Sequence, residues 1–425
     1  MRVERKPLIE MKRIRWATAL CLSFIIYHLS FCPARAQTFY VCEGNDVTTA
    51  AQLDFTDGSL TTTAIDSITL HVPQMSFVGG DISLLPTYEE HGAKYYDRQG
   101  RAISDMIDFL KEQGWNTMRV RLFVDPSKAS AADRGQGVRQ DLDYVVSLGK
   151  RIKAAGMLLM LDFHYSDSWA DPAKQWTPAA WLSFADDQLC SKIYDYTRDC
   201  LLALRAAGAS PDFIQTGNEI SYGMLWGAQG STANRCYMGS EDNWPRFARL
   251  LKEAGKACRE VCPQARIIIH TERAAQQSVL KNFYQQMQKQ GVDYDIIGLS
   301  YYPYYHGSLT TLSSSLTMLG QAFPTKQVMI VETGCSYHYK VGDNDTGYPL
   351  TNAGQRQFAA DLIATLHQHK TVSGLFWWFP EANEYGLDWQ TQRVTDNWYN
   401  AGLFDNETGR ALDALYELKR FRVES

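Results

Sequence analysis

Eight short apolar runs, each followed by a longer stretch of helical periodicity, constrain this chain more than any other feature. The runs are Phe77–Asp81, Thr117–Phe123, Leu158–His164, Phe213–Ile220, Arg266–His270, Asp295–Tyr302, Val328–Glu332 and Gly374–Trp378. They are nearly continuously apolar, the pattern of parallel strands buried on both faces. The stretches 102–112, 139–155, 185–207, 243–261, 277–289, 309–323, 352–369 and 411–420 repeat apolar residues three and four apart, as Ile103, Met106, Ile107 and Leu110 do. Eight strand–helix units in about 350 residues predict an α/β fold, a (β/α)8 TIM barrel over residues 75–425. The competing fold is an open doubly wound sheet, but no Gly-rich phosphate loop follows any run.

The polar residues fall at one end of these runs. Asp81, Arg119, His164, Glu219, His270, Tyr302, Glu332 and Trp378 all lie at or near C-terminal strand ends, where barrel sites are built. Two of them rhyme: the run from Phe213 leads to Asn218-Glu219, and the run from Val328 ends in Glu332. A glutamate closing an apolar strand is costly to desolvate unless something uses it. A lone one is more often a salt-bridged or capping residue, but a matched pair facing one bowl is what glycoside hydrolysis needs. A carboxyl separation of about 5–5.5 Å would mean retention, and about 6.5–9.5 Å inversion. Asn218 can bond a sugar 2-hydroxyl, Arg119 can keep one glutamate ionised, and Tyr302 can hold it in place. Singly, His164 and His270 read as satisfied core histidines. Trp378 reads as core or as a sugar platform.

Composition narrows the partners. The net charge of −5 and the lack of a basic stripe argue against nucleic acid. The 11 Trp, 23 Tyr and 18 Phe suit either a carbohydrate site or a large core. At the N-terminus, Lys12, Arg13 and Arg15 precede the apolar run 17–31 and then Ala34-Arg35-Ala36. That order predicts a signal peptide over 1–36 and an exported chain. The run is too short for a membrane span, and lipid attachment at Cys32 ranks second because Phe31 before it is bulky. Residues 37–74 read as a short N-terminal extension, one or two strands docked on the main domain and without chemistry. Of nine cysteines, seven follow the signal, so at least one thiol is expected to be free. Their spacing gives no zinc site.

Several stretches carry a family resemblance. They are Gly79-Gly80-Asp81-Ile82-Ser83, Asn116-Thr117-Met118-Arg119-Val120-Arg121, the segment from Asp162 to Pro172, Gly217-Asn218-Glu219-Ile220, Ser300-Tyr301-Tyr302-Pro303-Tyr304-Tyr305 and Val331-Glu332-Thr333. From about Met75 onward the chain resembles glycoside hydrolase family 53, the arabinogalactan endo-β-1,4-galactanases of the retaining (β/α)8 clan. The His164–Pro172 segment is the most specific part of the match. The resemblance implies hydrolysis of β-1,4-galactan side chains of pectin, with Glu219 as acid/base and Glu332 as nucleophile. It implies substrate-binding or supporting roles for Asp81, Arg119, Arg121, His164, Asp167, Trp169, Asn218, His270, Tyr301, Tyr302 and Trp378. No cofactor is needed for that chemistry. Some bacterial members hold a structural calcium near the last two strand loops. The matching candidates are Asp343, Asn344, Asp345 and Asp388, which read equally well as acidic turns. One departure stands out: Phe379 precedes Pro380 where the family pattern has a glutamate, and Glu381 is expected to compensate.

The substrate partner is therefore expected to be a galactan chain, and the protein a monomer. A mannanase or cellulase of the same clan is the nearest alternative. A glycan-binding protein on a dead scaffold is disfavoured, because both carboxylates and Arg119 are present. A sugar-phosphate isomerase or aldolase barrel lacks its phosphate-gripping loop here.

Overall fold

The computed structural model describes residues 36–43, 46–54, 60–69 and 75–423, other than 341–344, 389 and 396–397. Residues 1–35 of the expected signal, and the calcium candidates Asp343 and Asn344, lie outside the described residues. The chain divides into two compact units between Gln74 and Met75. The first holds β1 (Ala36–Glu43), β2 (Asp46–Asp54) and β3 (Leu60–Thr69), paired antiparallel in the order β1-β2-β3. That is three strands where one or two were expected. The β-branched run Thr61-Thr62-Thr63 favours the extended backbone of the third.

The second unit is the barrel. Its strands are β4 (Phe77–Asp81), β5 (Thr117–Leu122), β6 (Leu158–Phe163), β7 (Phe213–Thr216), β8 (Arg266–Thr271), β9 (Ile296–Tyr301), β10 (Gln327–Thr333) and β11 (Val372–Trp378). They pair parallel and close in the order β10-β11-β4-β5-β6-β7-β8-β9. Helices separate them and start where the sequence supplies a cap. Asp105 accepts from the backbone N–H groups of Ile107 and Asp108, Asp141 from Tyr144 and Ser308 from Thr311. The last expected helix is two short ones, Asp413–Glu417 and Arg420–Val423. No helix among the described residues is long and apolar enough to cross a membrane. Cys190, Cys200, Cys236, Cys258, Cys262 and Cys335 are buried free thiols.

The interior is layered. Phe77, Met160, Phe213, Ile268, Ile296, Met329, Val331 and Phe376 fill the lower barrel. Strand side chains alternate between faces, so the residues two and four positions further on point inward above this apolar plug. They are Asp81 on β4, Asp162 on β6, Gln215 on β7, His270 on β8, Ser300 on β9 and Trp378 on β11. Arg119 of β5 joins the same layer. On β10 the register with β9 slips between Ile330 and Glu332, so Glu332 faces the interior directly after Val331. The fold thus supports a polar layer on an apolar base, open at the C-terminal ends of the strands.

Candidate active site

Arg119 is the hub. Its Nη1 donates to Asp81 Oδ2 at 2.8 Å, and its Nη2 lies 2.8 Å from both Asp162 Oδ2 and Glu332 Oε1. Nη2 also reaches Asn218 Oδ1 at 3.0 Å, and Nε donates to Gln215 Oε1 at 3.2 Å. The guanidinium is fully buried. Burial alone would lower its pKa, but Asp162, Glu332 and Asp81 outweigh this and raise it, so it is permanently charged. Arg121 shares Asp81 through Oδ1 at 2.8 Å. Its guanidinium lies 4.4 Å from the Trp169 ring centre and 5.0 Å from that of Phe379, so it braces the aromatic wall from behind.

Two glutamates face each other above this hub. One oxygen of Glu219, one of Glu332 and a ring nitrogen of His270 all lie within 4.8 Å of one another. Glu332 Oε1 is ion-paired with Arg119 at 2.8 Å, and its Oε2 accepts the Tyr302 hydroxyl at 3.1 Å. Among the described residues, the Glu219 carboxylate receives only the Ser300 hydroxyl, at 2.7 Å, which lies farther, at 3.4 Å, from Glu332 Oε2. Burial pushes both carboxyls up. For Glu332, Arg119 opposes the rise and leaves it at about 7. For Glu219, the Glu332 charge adds to burial and no cation touches it. A proton shared by the pair therefore resides on Glu219, with Glu332 ionised.

Glu219 is fixed from below by a chain of hydrogen bonds. The Gln215 amide lies 2.8 Å from His270 Nδ1, and the Glu219 backbone N–H faces the same nitrogen at 3.4 Å. Two donors face Nδ1 against one acceptor, Asn218 Oδ1 at 3.1 Å, which assigns the imidazole proton to Nε2, 2.8 Å from Ser300 Oγ. Ser300 in turn directs its own proton to Glu219. Burial, then Arg119, depress the His270 pKa, so the ring is neutral. The backbone at Glu219 is left-handed (φ +48°) and follows Gly217 at φ +113°. This turn points the carboxylate into the bowl where β7 stops, and its strain is of the kind held at functional sites.

The bowl is a cleft of about 430 Å³ lined by Asn218, Glu219, Glu332, Tyr302, Trp169 and Trp378, among others. Asp81, Arg119, Arg121, His164 and His270 are buried beneath or behind it and support it. His164 accepts the Ala170 N–H on Nδ1 at 3.0 Å and lies 3.1 Å from Asp162 through Nε2. Two expected site residues stand elsewhere. Tyr301 points to the opposite face of β9 from Ser300 and Tyr302; it donates to the Gly307 carbonyl at 2.7 Å and stacks on Phe358. Asp167 accepts from the N–H groups of Asp125 and Ala179 and braces loops. Glu381 does not compensate in the cleft for the missing glutamate. It is wholly buried and accepts from Leu84 N–H, and burial pushes it up to about 8. Phe379 takes the cleft position instead. Asp345 and Asp388 each accept a backbone N–H two residues on. Among the described residues they join no group of three His, Cys, Asp or Glu side chains.

The sequence reading missed Asp162, Gln215, Ser300 and Glu272. Each stands two positions from a residue that was chosen or that turns the chain: His164, Gly217, Tyr302 and His270. The two-residue period of a strand would have found all four. Trp398 and Tyr305 also line the cleft; Trp398, on the long loop after β11, carries no comparable signal.

Comparison with known proteins agrees with this geometry. The sequence profile of glycosyl hydrolase family 53 matches residues 77–418. A Thermothelomyces thermophilus protein named arabinogalactan endo-beta-1,4-galactanase is 32% identical over 319 residues, covering 72% of this chain and 90% of that one. The endo-beta-1,4-galactanase of Bacillus subtilis (strain 168) is 29% identical over 366 residues, covering 77% and 81%. Among solved structures, the Ignisphaera aggregans GH53 catalytic domain superposes with a TM-score of 0.71 at 32% identity, covering 82% of this chain and 96% of that domain.

Proposed function

Because the chain belongs to glycosyl hydrolase family 53, we propose that this glycoside hydrolase is an exported, retaining endo-β-1,4-galactanase acting on the galactan side chains of pectin. The observation that carries the mechanism is the asymmetric pair: Glu332 held by Arg119 and Tyr302, and Glu219 held, among the described residues, by Ser300 alone. One oxygen of each lies within 4.8 Å of the other, an approach that supports the close carboxyl pair of retaining enzymes. Glu332, ionised, attacks the anomeric carbon. Glu219, protonated, gives its proton to the glycosidic oxygen as that bond breaks, and the leaving chain departs. Glu219, now a carboxylate, takes a proton from water as the water attacks the glycosyl–Glu332 ester. That releases sugar with its β-configuration kept and restores both carboxyls.

The supporting groups have plain duties. Asn218 spends one amide hydrogen on the Ala170 carbonyl and its oxygen on Arg119. Its second amide hydrogen is available to the sugar 2-hydroxyl. Trp378 and Trp169 offer apolar faces to the sugar ring. The named relatives in Thermothelomyces thermophilus and Bacillus subtilis support galactan as the substrate. The basic–apolar–small pattern of residues 1–36 supports export, and residues 75–425 are the catalytic unit, working as a monomer.

The test is product release from purified β-1,4-galactan, β-1,4-mannan and cellulose, with anomeric configuration followed by NMR. Galactan should be cleaved, with β-anomers appearing first. Glu219→Gln and Glu332→Gln should each lower kcat by about 10²–10⁴-fold or more. Preference for mannan or cellulose, or full activity in either variant, would refute the assignment.

A further inference from the structure

Glu272 follows β8 directly and lines the same cleft as Glu219, yet the hydrolytic steps above give it nothing to do. It is held unusually firmly. Its Oε1 accepts the Ser221 hydroxyl at 2.6 Å and is ion-paired with Arg273 Nε at 2.7 Å. Arg273 also donates to Ser221 at 3.2 Å and lies over the Tyr222 ring, 4.4 Å from its centre. Only 8% of Glu272 is exposed, and its Oε2 has no hydrogen-bond partner among the described residues. A buried carboxylate oxygen left unpaired is costly unless a ligand completes it. Asp171, another acid on this wall, accepts the N–H groups of Ala173 and Lys174 on Oδ1 and has the Lys174 ammonium 3.9 Å from Oδ2.

Its place relative to the glutamate pair says what that ligand is. Glu272 is tied to Ser221, two residues beyond Glu219 on the same loop, whereas Glu332 is held from the other side by Arg119 and Tyr302. Glu332 addresses the anomeric carbon, and Glu219 the oxygen of the departing sugar. The wall beyond Glu219 therefore faces the departing sugar.

We infer that Glu272 Oε2 is a preorganised acceptor for a ring hydroxyl of the galactosyl unit on the leaving-group side of the scissile bond. The assignment rests on the reading of Glu219 as proton donor. Ser221 and Arg273 fix the carboxylate before substrate arrives, so little ordering is left to do on binding. A leaving group without hydroxyls gains nothing from this contact.

The experiment compares two substrates that share the same glycosyl part: a β-1,4-galactooligosaccharide and a dinitrophenyl β-1,4-galactobioside. In Glu272→Ala, kcat/KM for the oligosaccharide should fall at least about tenfold further than for the aryl glycoside. Equal losses on both or no loss on either would show no contact with the leaving sugar, and an oligosaccharide-specific loss that also moves the alkaline limb of the pH profile would show that Glu272 works only through Glu219, since a dinitrophenolate leaves without that residue's proton; each overturns the inference. Melting temperature is checked first, and if Glu272→Ala does not fold, Glu272→Gln carries the same comparison with the same criterion. Wild-type protein inactive on galactan would instead bring down the galactanase reading, a result seen before any variant is compared.

Discussion

The contacts of a guanidinium and a phenol set the roles of two chemically identical side chains. Glu332 touches a guanidinium and a phenol, and Glu219 touches one serine hydroxyl. The same burial that raises both pKa values therefore leaves the negative charge on Glu332. Tyr302→Phe tests this at the residue scale. The hydroxyl stabilises the Glu332 carboxylate, so its loss favours the protonated form and raises that pKa. Since Glu332 must be ionised to attack, the acid limb of the kcat/KM profile should move to higher pH. The limb should move less on the alkaline side, which reports Glu219. An acid limb that stays put or moves down would mean Tyr302 does not hold the nucleophile.

At the scale of the element, strand parity and its two interruptions build the site. Alternation puts Asp162, Gln215, His270, Ser300 and Tyr302 inside and sends Tyr301 to the outer face. The slip on β10 adds Glu332 where plain alternation would turn it away from the cleft. The glycine turn after β7 brings Glu219 over the mouth. A Cβ on Gly217 would meet Ile220 Cγ2 at 2.8 Å, at a φ of +113° that side chains rarely adopt. Gly217→Ala should cost about 1–3 kcal/mol of stability, readable as a lower urea midpoint. Its kcat on galactan should fall at least about tenfold, because Asn218 and Glu219 ride on that turn and small displacements are expensive in catalysis. A variant with unchanged kcat would show that the turn is permissive.

At the scale of the whole molecule, the barrel is a single rigid collar that gathers eight strand ends into one bowl, and the N-terminal strands form a compact unit of their own. Every residue given a chemical duty lies between Asp81 and Trp378. A chain beginning at Met75 should therefore hydrolyse galactan with kcat/KM within about twofold of the full-length protein, a small surface-scale effect. A loss beyond tenfold in a folded product would assign the first unit a part in substrate binding.

The sequence by itself determined the barrel, because eight apolar runs separated by amphipathic helices leave few other ways to bury those strands. It also determined the two glutamates, since each ends an apolar run where only use justifies the cost. What it could not rank was position within a strand end. Tyr301 and Tyr302 are neighbours of one type, and only the register of β9 against its partners decides which faces the sugar. Asp167 is polar in a family-like segment, and only the loop packing shows that backbone N–H groups consume it. Glu381 stands one residue from the proline, and the tertiary structure buries it behind the wall it was expected to line. The tertiary structure also decided the charge of the pair. Arg119 lies 213 residues (332 − 119) before the Glu332 it contacts, and no local pattern could say which of two glutamates the closed barrel would bring to it.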